Sequence, residues 1–101
     1  MNTPTVGMGA TVGIGSDCYP YTIVSVSENL KTVIIQKDNY KPAKGYEYYG
    51  NQVYEFTPNE TGSIEVWTLR NHGRYVRKGD KKGGGYYLTI GERRAYSDPS
   101  F

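Results

Sequence analysis

Arg70-Asn71-His72-Gly73-Arg74-Tyr75-Val76-Arg77-Lys78 is the stretch of this 101-residue chain with the most specific chemistry to offer. Guanidinium forks grip phosphate oxygens in pairs and stay charged at any working pH. A tyrosine ring beside them is a surface on which a purine stacks, and the Asn71 amide can read the edge of a base or a ribose. In a strand over 74–77, Arg74 and Val76 share one face while Tyr75 and Arg77 share the other. Arg93-Arg94 with Tyr96 repeats the combination near the carboxyl end. The candidate ligand-binding residues are therefore Arg70, Asn71, Arg74, Tyr75, Arg77, Arg93, Arg94 and Tyr96. Such a set suits a nucleotide, although arginine–tyrosine strands also decorate ordinary surfaces.

Charge supports an anionic partner for the same region. Residues 1–69 carry four basic and seven acidic side chains, a balance of −3. Residues 70–101 carry eight basic and three acidic ones, a balance of +5 that includes all five arginines. This asymmetry points to an anion at the C-terminal third, while a solvated strand face would carry the same charges.

Catalytic and metal chemistry finds little to work with. Cys18 has no second cysteine and no histidine close in sequence, so it reads as a structural thiol. His72 is the single histidine and lacks partners at metal-ligand spacing. The glycine-rich segment 6–15 fails the dinucleotide pattern, because Val12 stands where the third glycine belongs. It reads instead as a glycine-bent edge strand or a close backbone contact between subunits. Lys78 to Gly85 reads as a basic hairpin loop, and Asn59-Glu60-Thr61 as a plain turn. No catalytic residue, metal or cofactor is expected, and the chain is not expected to be an enzyme.

The elements that must position these groups are short and β-rich. Tyr21–Val26 and Thr32–Gln36 are the strongest strand patterns, joined by a hairpin loop at 27–31. Further strands are expected at 11–14, 52–57, 63–69, 74–77 and 86–90. Ser16–Pro20 reads as a turn, Asn39–Gly50 as a long loop or ragged ribbon, and 95–101 as a non-strand tail. The fold class is all-β, mainly antiparallel: one domain over 1–101, shaped as a strongly bent meander or a small barrel. Its core falls to Val24, Val26, Val33, Ile35, Val53, Ile64, Val66, Trp67, Leu69, Val76, Leu88 and Ile90. That core is thin for the ordering entropy it must offset, so buried tyrosines or a second subunit are expected. No apolar run approaches a membrane span and the first residues show no secretory pattern, so a reducing cytosol is expected.

Several motifs together resemble a known family. They are Val6-Gly7-Met8-Gly9-Ala10-Thr11, Gly15-Ser16-Asp17 with Tyr19-Pro20, and Thr68-Leu69-Arg70 with Gly73-Arg74 and Val76-Arg77-Lys78-Gly79. Ile90-Gly91 with Asp98-Pro99-Ser100-Phe101 completes them. Over nearly the whole chain they resemble small phage and prophage proteins of the first-described Thoeris anti-defence sponge family. The resemblance implies a β-rich homo-oligomer (a dimer or hexamer) acting in the host bacterial cytoplasm. It implies sequestration, without cleavage, of cyclic ADP-ribose isomers, and in some members of cyclic oligonucleotides at a separate site. Two other readings fit the residues: a small β-barrel binding nucleic acid through its basic third, and a phage structural subunit with tyrosine-built interfaces.

Overall fold

The computed structural model describes residues 3–70, 73–78 and 85–97. They form eight strands: β1 (Gly9–Ile14), β2 (Asp17–Val26), β3 (Thr32–Lys37), β4 (Asn39–Pro42), β5 (Tyr54–Thr57), β6 (Ile64–Leu69), β7 (Tyr75–Arg77) and β8 (Tyr86–Ile90). Among the described residues no helix is long and apolar enough to cross a membrane. Six strands make one antiparallel sheet in the order β7-β6-β3-β2-β1-β8, while β4 and β5 pair as a separate ribbon inserted between β3 and β6.

The sheet curls into a nearly closed barrel. β7 and β8 lie side by side across the remaining gap without a ladder among the described residues. Side chains bridge it instead, with the Arg77 guanidinium 3.8 Å from the centre of the Tyr86 ring. Closure covers sheet edges that would otherwise invite pairing with another chain.

Register decides which side chains point inward. Directly opposed residues in an antiparallel pair share a face, and Ala10↔Tyr21, Ile23↔Ile35 and Val33↔Trp67 are opposed. These six and Val12 are the buried core, with Ile23, Val33, Ile35 and Trp67 fully covered. Tyr19, Val26, Tyr75, Tyr86, Leu88 and Ile90 pack against them.

Several expectations change here. Val24 and Ile64 were expected inside but are 38% and 61% exposed. A bulge between Ile23 and Ser25 shifts the β2 register, so Ile23 and Val26 both face inward and Val24 is left over. The turn expected over 16–20 is confined to Gly15 and Ser16, because Asp17–Pro20 extend β2 along β1. Of the two readings of 39–50, long loop or ragged ribbon, the ribbon holds for its first four residues, which form β4 and pair along β5 from Asn39↔Thr57 to Pro42↔Tyr54.

The thin aliphatic core is supplemented by tyrosine, one of the two outcomes expected from its composition. Tyr21 is 5% exposed and donates its hydroxyl to Glu65 at 2.7 Å, and the same carboxylate accepts the Trp67 Nε1–H at 3.1 Å. Burial first, and then the Glu65 carboxylate, hold the Tyr21 phenol far above its ordinary 10.0. The unfolded chain sheds that proton near pH 10.0 whereas the fold retains it. Stability from this group is therefore complete below about pH 10 and lost as pH climbs toward the folded value. Tyr21→Phe should flatten the alkaline limb of the unfolding profile while costing about 1 kcal/mol at neutral pH. Circular dichroism followed alongside tyrosinate absorbance checks this; an unchanged alkaline limb contradicts it.

Candidate functional site

The outer face of the barrel, and not its interior, gathers the most reactive surface. Along β1 the residues Gly9, Thr11 and Gly13 alternate with the inward Ala10 and Val12. Residues 91–97, the strap, leave β8 and double back over this face. They reach the edge of β2 that β3 leaves open beyond Lys37, where Cys18 and Tyr96 exchange two backbone hydrogen bonds of 3.0 Å.

Nearly every strap residue is pinned. Gly91 N–H donates to the Gly9 carbonyl at 2.9 Å. The Thr11 hydroxyl donates to the Glu92 carbonyl at 2.8 Å and accepts the Arg94 N–H at 2.9 Å, so its one donor is used. Arg93 turns inward: Nε meets Asp38 Oδ2 at 2.9 Å and Nη2 meets the Thr22 hydroxyl at 2.9 Å. Thr22 in turn donates to Asp38 Oδ1 at 2.5 Å, closing a three-membered clasp around a carboxylate that is fully buried. The Arg93 stem passes directly over Gly9, where an added Cβ would stand 2.7 Å from its Cγ. At the far end the Gln52 amide grips both backbone groups of Ser97, at 2.7 and 3.0 Å, and so ties the strap to the tyrosine-lined ribbon.

Alternation along the strap then puts Arg93 and Ala95 inward and Arg94 and Tyr96 outward. Arg94, Tyr96 and Glu92 meet Tyr87 and Thr89 of β8 around a cavity of about 90 Å³. Thr11, Ser16 and Cys18 complete its lining. Among the described residues the Arg94 guanidinium has neither a hydrogen-bond nor an ion-pair partner. Cys18 is buried here, and burial raises its thiol above the ordinary 9.0 while nearby Arg94 pulls it down. It acts as a neutral apolar wall. The arrangement offers a cation for a phosphate, a carboxylate for sugar hydroxyls, and two half-open rings for a planar base. No set of three or more histidine, cysteine or carboxylate groups could hold a metal among the described residues.

The other sequence candidates lie elsewhere. Arg70 and Arg74 are exposed at the β6–β7 turn, where the Arg70 N–H donates to the Arg74 carbonyl at 2.9 Å. This turn sits at the barrel end that holds the β2–β3 connection, since Leu69 N–H donates to Lys31 O at 2.7 Å. Cys18 and Tyr96 are near the β1–β2 turn at the opposite end. Tyr75 and Arg77 face the barrel interior, opposite Leu69 and Trp67. The Tyr75 hydroxyl is engaged by the Leu30 carbonyl at 2.5 Å, and Arg77 by the Tyr86 ring. Arg93 is held by Asp38. Asn71 lies outside the described residues, as do His72, residues 79–84 and residues 98–101. Of the eight, only Arg94 and Tyr96 line the cavity.

Sequence reasoning missed Tyr87, Thr89, Glu92, Thr11 and Ser16 as lining residues. A signal was present in Gly9-x-Thr11-x-Gly13, small residues at the period of a strand face, where other side chains can cross closely. No family model, curated protein or solved structure matches the chain.

Proposed function

We propose that the protein captures a small adenine nucleotide signal and holds it intact on the face formed by the strap and β8. The observation that carries this is the Arg94 guanidinium, without a partner among the described residues, beside Glu92, Tyr87 and Tyr96 around one cavity. A bare anion would be repelled by Glu92, but a nucleotide uses it. Phosphate oxygens meet Arg94, ribose hydroxyls donate to the carboxylate, and the base lies on a tyrosine. The family resemblance narrows the class to cyclic ADP-ribose isomers.

One chain supplies a seat and no roof. A cavity of about 90 Å³ falls well below the ~300–1,000 Å³ of a small-molecule pocket. A second copy of the chain covers the ligand and adds cationic groups, which the exposed Arg70 end of a neighbour can provide. The role assigned is binding, with the ligand released unchanged.

Calorimetric titration with cyclic ADP-ribose, followed by heating and recovery of the ligand, tests this. Saturable binding and intact ligand are expected. Arg94→Ala should weaken binding by about 2 kcal/mol, roughly 30-fold, as loss of a charge-assisted contact does. Absence of binding, or recovery of a cleaved product, overturns the reading.

A further inference from the structure

Tyr87 and Gly13 face each other across the β1–β8 ladder. A Cβ placed on Gly13 would collide with the hydroxyl-bearing end of the Tyr87 ring, meeting Cζ first and then the hydroxyl and Cε2. The end of the ring therefore packs directly on the bare Gly13 backbone, and Gly13 is buried although it belongs to the outer face. Tyr87 itself remains 50% exposed, and it borders the cavity that Arg94 also lines. The ring is thus seated against the protein at Gly13 while half of the residue stays open. Among the described residues its hydroxyl has no hydrogen-bond partner, so the group presents a ring and little else.

We infer that Tyr87 is the platform on which the planar base of the ligand stacks, and that Gly13 is the positioning residue that sets the platform's height and tilt. This rests on the nucleotide-capture reading above and assigns its base subsite. A ring already seated against the protein loses little freedom when a base covers its open part, which is how a rigid aromatic contributes affinity at low entropic cost. Any side chain at position 13 lifts the ring away from the sheet. Because the nearest atoms are the far end of a side chain that can swing outward, alanine at this position moves the platform without breaking the strand.

The experiment titrates cyclic ADP-ribose into the wild-type protein and into Tyr87→Ala, Tyr87→Phe and Gly13→Ala. Thermal melts and amide spectra establish that each variant is folded. Tyr87→Phe keeps the ring and should bind within about twofold of wild type, whereas Tyr87→Ala should bind about tenfold more weakly, the loss of one base–aromatic stack. Gly13→Ala should weaken binding severalfold although every atom of Tyr87 is retained. A readout that a merely structural role would not move is the adenine ring protons of the bound ligand. They should shift upfield with wild type and Tyr87→Phe, and lose that shift with Tyr87→Ala. Wild-type affinity and an unchanged upfield shift in Tyr87→Ala overturn the platform while leaving capture intact. Failure of the wild-type protein to bind overturns the capture reading and the platform with it.

Discussion

Asp38→Ala is expected to lower stability by about 3 kcal/mol, which for a chain of this size is a fall of roughly 15 °C in Tm. The Asp38 side chain is fully buried and its two oxygens are held by Thr22 and Arg93. Arg93 is itself only 27% exposed, with its stem lying over Gly9. Removing the carboxylate leaves a largely covered guanidinium without its counter-ion, and that uncompensated charge sets the size of the effect. The strap loses its inward anchor as well, so Arg94 and Tyr96 lose their fixed positions and ligand affinity falls with stability. The double variant Asp38→Leu with Arg93→Met removes both charges and should recover much of the loss. Thermal melts of both variants check this; a fall under ~5 °C for Asp38→Ala, or no recovery in the double variant, contradicts the clasp.

Gly62→Ala should cost about 2–3 kcal/mol, at the upper end of overpacking effects. Gly62 lies in the loop between β5 and β6, and a Cβ there would collide with the Lys37 carbonyl oxygen and stand 3.2 Å from the Asn59 carbonyl. Neither obstacle can yield. The Asn59 carbonyl accepts the Gly62 N–H at 2.9 Å, and Lys37 N–H donates to Ser63 O at 2.9 Å. Gln36 Nε2 further fixes the loop by donating to the Gly62 carbonyl at 3.1 Å. Gly50 is the contrasting case, because its nearest obstacle is the flexible Glu47 carboxylate, whose Oε2 lies 2.9 Å from the added Cβ. Gly50→Ala should therefore stay within about 0.5 kcal/mol of wild type. Denaturant unfolding of the pair distinguishes backbone from side-chain obstruction, and equal midpoints contradict it.

The strands legible in the sequence are those whose own side chains declare them. Thr32–Gln36 is a β-branched run, and Tyr86–Ile90 alternates between turn residues; both appear where expected, β3 one residue longer. Val24 was misplaced because an extra residue in a bulge leaves no local mark, only a change in which neighbour lies opposite. β4 was hidden because none of its four residues is buried, so it has no apolar period to display. The candidate site was legible in part: Arg94 and Tyr96 were named, while Tyr87 was read only as a strand residue.

Residue types alone decided that this chain is built of antiparallel strands, since turn formers interrupt its β-branched runs too often for helices. They also decided that all five arginines lie in the last third of the chain. Which arginine is held by a carboxylate and which one faces a cavity was decided only by tertiary structure. Arg93 and Arg94 are adjacent and chemically identical, yet one clasps Asp38, 55 positions away, and the other points outward. That choice depends on the strap crossing β1 above Gly9, a matter of which strands lie side by side, and no local pattern encodes it.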